Sequence, residues 1–154
     1  MLPLNNIPKL KQLEIIGRIP FFKSFTLEQR DLLLQKSKIY QCKAYQLVQS
    51  EVDHNSHLYI VLSGEIEILR HNNDARLGVI QAGEFIGEGS FINRRPKSAT
   101  ARALSDAIVL CMDQDTLRGL PLALRDKFKD SVIAGMAERI VYLSDQIQEL
   151  QASP

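Results

Sequence analysis

The chain has little of what would mark a disulfide scaffold, a membrane protein or a nucleic-acid binder. Its two cysteines, Cys42 and Cys111, lie far apart among 154 residues. That is too few for a disulfide framework and fits buried, reduced thiols in a cytosolic protein. No signal peptide is seen and no apolar run is long enough to span a bilayer, so the expected compartment is the cytoplasm and no membrane partner is expected. An excess of charge of one sign is also lacking. Nineteen Lys and Arg against 18 Asp and Glu leave a formal net charge of +1, without the basic stripe of a nucleic-acid surface, which argues against direct DNA contact by this segment. The three histidines, His54, His57 and His71, have no cysteine or carboxylate at ligand spacing, so no metal site is expected and they read as loop histidines. A Ser-His-acid or Cys-His arrangement and the lysine and hydroxyl of a P-loop are missing too. The chain is therefore not read as an enzyme.

What remains is a composition that folds: 45% apolar and 24% charged residues, enough for the core of one ordinary domain. Three segments are legible within it, a helical stretch over 1–36, a β region over 37–120 and a long helix over 121–154. From Ile7 to Ile19, Pro8 opens a helix with Leu10, Leu13 and Ile16 at helical spacing, and Gly17 and Pro20 end it. Phe21, Phe22 and Phe25 then form a cluster expected to pack on the core, and Thr26 with Gln29 makes a capping box for a second helix to about Lys36. Short runs rich in Val, Ile and Tyr follow: 39–43, 46–49, 58–62, 65–70, 76–80, 100–104 and 107–112, with turns at Ser63-Gly64 and Asn72-Asn73-Asp74. The expected fold is α+β, an antiparallel β roll of the double-stranded β-helix or jelly-roll type with N-terminal helices and a long C-terminal helix. Asp113 caps a brief helix that stops at Gly119, and Pro121 opens the long one.

Two stretches carry chemistry. In Gly83-Glu84-Phe85-Ile86-Gly87-Glu88-Gly89-Ser90-Phe91 the glycines allow a tight turn and close approach of backbone N–H groups to a ligand, the makings of a phosphate seat. Glu88 accepts hydrogen bonds and suits a ligand with hydroxyls beside its negative charge, such as a sugar phosphate. The plainer reading is a glycine-rich turn with a solvated glutamate. In the long helix, Ile133, Ile140 and Ile147 take one heptad position while Met136, Leu143 and Leu150 take the other. β-Branched residues at a with leucine-like residues at d favour a parallel two-stranded coiled coil, hence a homodimer; before Met136 the stripe can equally pack on its own β roll.

Helices, a β roll with Gly64 and Gly83 at its turns, Phe85-Ile86-Gly87-Glu88 followed by Pro96-Lys97-Ser98-Ala99-Thr100, then a long helix: together these resemble the cyclic nucleotide-binding domain family, most of all the sensor domain of bacterial catabolite activator-type regulators. The resemblance implies a phosphate-binding cassette with a short helix after Glu88. Glu88 would bind the ribose 2′-hydroxyl, Gly87, Gly89 and Ser90 would face the cyclic phosphate with backbone groups, and Ser98 would add a hydroxyl or amide contact. Arg139 matches an arginine that pairs with the cassette glutamate, and Ser144 a serine that reaches the base across the dimer. The family's phosphate-binding arginine falls at Lys97, which keeps the charge but loses the bidentate fork; Arg94 or Arg95 could reach in instead, although Pro96 holds Arg95 extended. Ala44 and Ser50 replace usual turn glycines, and Leu143 replaces a threonine that contacts the base. The expected function is a cyclic nucleotide sensor, for cAMP or cGMP as effector with no cofactor required, that signals through its dimer helix to a downstream protein or to a DNA-binding domain outside this chain. The alternatives are a dimerisation or interaction module of the same fold that no longer binds nucleotide, or a receptor for another small anionic effector.

Overall fold

A computed structural model describes residues 1–70, 75–93 and 95–153. The expected turn at Asn72-Asn73-Asp74, and with it His71 and Arg94, lies outside the described residues. A two-residue strand β1 (Leu2–Pro3) precedes helix α1 (Lys9–Gly17), a 3₁₀ turn at Pro20–Phe22 and helix α2 (Leu27–Lys36). The start of α2 is fixed by the capping box: Gln29 N donates to Thr26 Oγ1 at 3.1 Å and Thr26 N to Gln29 Oε1 at 3.0 Å. Strands β2 (Lys38–Cys42), β3 (Leu47–Gln49), β4 (Leu58–Ser63), β5 (Ile66–Arg70), β6 (Ala75–Ile80) and β7 (Phe85–Ile86) follow. Helix α3 (Glu88–Asn93), strands β8 (Thr100–Ala103) and β9 (Ala107–Met112), helix α4 (Gln114–Arg118) and helix α5 (Leu122–Ala152) complete the chain. All strand pairs are antiparallel, in two sheets ordered β1-β2-β9-β4-β7 and β3-β8-β5-β6, which is the expected β roll with its helices.

The first sheet is covered on both faces, and its central strands therefore read as apolar runs instead of alternating patterns. Along β4, Leu58, Ile60 and Leu62 face the helices while Tyr59 and Val61 face the second sheet; along β9, Leu110 and Met112 face the helices and Ala107, Val109 and Cys111 the second sheet. On the helical side, Phe22 and Phe128 are fully buried, and Phe21 meets Phe128 and Phe85 edge to face at centroid distances of 5.2 and 6.0 Å. Helix α5 joins this core through Leu124, Phe128 and Val132, spaced four apart, and is hooked to the N-terminal segment by Lys127 Nζ to Ser24 O (3.0 Å) and Ser131 Oγ to Phe21 O (2.8 Å). Met136 is half-buried against the same core; Ile133, Ile140, Leu143, Ile147 and Leu150 are exposed.

The early turn where a glycine was expected at Ala44 is rebuilt. Gln46 N donates to Lys43 O at 3.0 Å, and it is Tyr45 that takes the left-handed conformation, at φ 69°.

On the outer face of the second sheet Glu67 is only 4% exposed. Its cross-strand partner Arg102 and the β6 residue Arg76 close over it, at 2.6 and 2.9 Å. The hydrogen bond from Arg102, assisted by that from Arg76, holds the carboxyl below the usual carboxylate range. With the folded value below the unfolded one of about 4.3, the stabilisation is fully present above that pH and is lost as pH falls through the folded value. Glu67→Gln should lower stability by about 1–2 kcal/mol at neutral pH, both arginines being partly solvated. In denaturation series the difference from wild type should shrink once the pH drops below about 4.

Candidate functional site

The glycine-rich stretch is delivered by β7, whose Phe85 and Ile86 pair with Ile60 and Tyr59 of β4. The chain then turns at Gly87, at φ 90°. A Cβ there would lie 2.4 Å from His57 O, 2.9 Å from Lys97 Nζ and 3.3 Å from Gln49 Oε1, so the position admits only glycine. The Gly87 carbonyl accepts from Phe91 N (3.0 Å), the first turn of α3, and from Ser90 Oγ (3.0 Å). The amides of Glu88, Gly89 and Ser90 stand ahead of that first helical bond, where N–H groups point off the end of the ladder. The segment expected as a loop from Gly87 to Ser98 thus contains the short helix that the family resemblance implies. Glu88 is half-exposed, Gly89 and Ser98 are exposed, and Ser90 is 2% exposed.

Lys97 lies beneath this turn, 5% exposed. Its Nζ donates to His57 O at 2.6 Å and to Ser90 Oγ at 2.7 Å, and sits 5.7 Å from the centroid of the Tyr59 ring. Among the described residues no carboxylate comes within ion-pairing distance of it. Burial pushes the amine below its ordinary value, opposed by Cys111, Asp53 and Glu88. Burial likewise pushes the His57 imidazole down and the Tyr59 phenol up. His57 lies in the loop before β4, as expected, and contributes its backbone carbonyl as one wall of the lysine's pocket. Gln49 was not singled out from the sequence. It is 5% exposed, its Nε2 donates to Ala99 O at 3.0 Å, and its Oε1 is buried without a hydrogen-bond partner. The available signal was one amide in the apolar run Leu47-Val48-Gln49.

A cleft of about 700 Å³ opens between the β6–β7 region and α5, walled by Leu77, Val79, Phe85, Arg139, Tyr142 and Leu143. Phe85 belongs to this cleft and stands two residues before Gly87, so seat and cleft adjoin through β7. Arg139 Nη1 is 3.8 Å from Glu84 Oε2. The expected partner was Glu88; α5 instead carries Arg139 over the turn before β7, where Glu84 stands. Leu143 lines the cleft, whereas Ser144 is exposed and is not among its walls. Arg95 lines a second cleft of about 540 Å³ with His57, Ser90, Asp113 and Arg118, on the side of the seat marked by Ser90.

The family model of the cyclic nucleotide-binding domain matches residues 41–121, just over half of the chain. The chain belongs to that family. Among curated relatives, it is 23% identical over 138 residues to a cGMP-dependent protein kinase of Eimeria tenella, covering 89% of this chain and 14% of the kinase. It is 26% identical over 106 residues to a CRP-like cAMP-activated global transcriptional regulator of Mycobacterium tuberculosis, covering 67% of this chain and 47% of the regulator. The chain thus spans less than half the length of either relative. Among solved structures, a cyclic nucleotide-binding domain from Methylobacillus flagellatus superposes with a TM-score of 0.80 at 23% identity, covering 95% of this chain and 85% of that one. The Thermus thermophilus catabolite activator protein does so with a TM-score of 0.68 at 23% identity, covering 86% and 63%. Catabolite activator-type proteins are therefore among its structural neighbours, and the fold is theirs.

An ammonium buried among neutral acceptors costs folding energy that a neutral side chain would not. The folded value of Lys97 lies below the unfolded one of about 10.4, so the penalty is full below the folded value and disappears as pH rises toward the unfolded one. Lys97→Met removes this penalty together with the two hydrogen bonds to His57 O and Ser90 Oγ, so its stability relative to wild type should be most favourable near pH 7. That relative stability, followed by urea denaturation across pH, should decline toward pH values of about 10.

Proposed function

We propose that this chain is a sensor for a 3′,5′-cyclic nucleotide, cAMP or cGMP, whose phosphate is received at Gly87–Ser90 above Lys97. The observation that carries the reading is the buried Lys97 ammonium, whose two hydrogen-bond acceptors are neutral and which stands directly under a glycine turn. An incoming phosphate monoanion supplies the missing counter-charge in a water-poor site, where it is worth most. The amides of Gly89 and Ser90 add donors, Glu88 takes the ribose 2′-hydroxyl, Ser98 would add a hydroxyl or amide contact, and the cleft beside Arg139 receives the base. The relatives point the same way, one a cGMP-dependent protein kinase and another a cAMP-activated regulator.

The exposed part of the heptad seam supports a parallel homodimer of this chain. Ile133, Ile140 and Ile147 at one position and Leu143 and Leu150 at the other all stand in solvent, at 46–76% exposure, while Met136 is shared with the chain's own core. Ser144 would reach the base from the second copy. Ligand signals through the helix if it binds the two packings of α5 with different affinity, and moving Arg139 from Glu84 to a Glu88-bound ribose supplies such a difference. The output would pass to a downstream protein or to a DNA-binding domain.

Calorimetry with cAMP and cGMP should give heat for at least one, and Glu88→Ala should weaken that binding about 10- to 100-fold. No heat with either, or heat untouched by the substitution, overturns the reading. For the dimer, Ile140→Lys should convert a concentration-dependent dimer into a monomer in analytical ultracentrifugation, since a buried lysine at an a position is unpaired. A wild-type monomer at all concentrations sinks it.

A further inference from the structure

Gly135 lies in the interior of α5, where alanine is the better helix former. Phe85 explains its presence. A Cβ built on Gly135 would meet Cε1 of the Phe85 ring at 2.4 Å and Cζ at 2.8 Å, distances that carbon atoms do not tolerate. The ring has little room to retreat. Phe85 is 7% exposed, its backbone is paired with Ile60 of β4, and it meets Phe21 edge to face at 6.0 Å. Phe21 in turn packs on Phe128 of α5, and Ser131 Oγ holds the Phe21 carbonyl at 2.8 Å. Helix α5 is thus fixed on the N-terminal side of Gly135 and is largely exposed beyond Met136. Gly135 and Phe85 both line the cleft of about 700 Å³ that also holds Arg139 and Leu143.

We propose that Gly135 is a positioning residue of the ligand site: by letting α5 rest directly on the Phe85 ring it sets the separation of helix and β7, and with it the depth of the cleft beside the cassette. This rests on the function proposed above. Since β7 runs straight into Gly87, any displacement of the Phe85 backbone moves the phosphate seat, and any side chain at 135 forces such a displacement or lifts the helix. Glycine here is the residue that allows seat and helix to share one rigid contact.

The test is a pair of complementary substitutions, Gly135→Ala and Phe85→Leu, alone and combined in the full chain. They are read by calorimetry with cAMP and cGMP and by hydrogen exchange of 83–91 and 130–143. Gly135→Ala should weaken nucleotide binding about fivefold or more and speed exchange in β7, and the double variant should recover both, because the smaller Leu side chain vacates the space that the new methyl needs. Gly135→Ala that binds and exchanges like wild type overturns the proposal, as does a double variant whose losses are the sum of the single ones. If wild type binds neither nucleotide, the cyclic nucleotide reading falls, and the exchange data alone decide for or against the Gly135–Phe85 contact. If Gly135→Ala does not fold, recovery of folding in the double variant supports the proposal and its failure overturns it.

Discussion

At Gly87 three separate parts of the chain meet at a point that only a hydrogen atom can occupy. The His57 carbonyl before β4, the Lys97 ammonium before β8 and the Gln49 amide at the end of β3 all stand within 3.3 Å of where a Cβ would be. The left-handed turn there allows β7 to end and α3 to begin without moving any of them. Lys97 then ties the meeting point together: one N–H goes to the loop before β4 and another to Ser90, whose own hydroxyl returns to the Gly87 carbonyl. The cassette is therefore held from beneath by hydrogen bonds that branch from one ammonium, to the loop before β4 on one side and through Ser90 to the Gly87 carbonyl on the other, and the position of its amides follows from them.

The parts of this arrangement that were legible in the sequence are those set by local chemistry. Thr26 and Gln29 announced the start of α2, and Asp113 that of α4, where its Oδ1 accepts from Thr116 N at 2.7 Å. Seven strands were legible from their β-branched runs, to within one or two residues at each end. Strands β1 and β7, two residues each, are too short to show any period, and exist because β2 and β4 offer them an edge. The positive φ in the first turn fell on Tyr45, which no propensity marks, because the turn is set by the hydrogen bonds of Tyr45 N to Ala103 O and of Ala44 N to Asp106. In the site, Glu88 and the glycines were readable as a motif. Gln49 and the Glu84 partner of Arg139 were not, since both depend on where strands and helix cross in space.

Helix α5 divides into two regimes under one continuous ladder. Up to Val132 its apolar residues are spaced to meet one face of the first sheet, and their burial anchors the helix as part of the core. Beyond Met136 the apolar residues are spaced for a seam and remain in solvent. The crossover falls where Gly135 touches Phe85, beside the cleft and next to the cassette. The part of the helix whose packing is least determined by its own chain therefore begins at the strand that carries the candidate seat.

An ammonium at position 97 suits this geometry. A guanidinium presents a planar fork suited to two phosphate oxygens, whereas an ammonium has three donors in a tetrahedral spread. Two of those donors are committed to His57 O and Ser90 Oγ, which leaves one for an incoming anion. In the proposed complex Lys97 thus supplies charge and a single contact, and more of the recognition of the phosphate passes to the backbone amides of α3. Those amides are positioned by Ser90 and Gly87, and Lys97 holds Ser90, so the residue that would supply the charge also helps to fix the donors beside it.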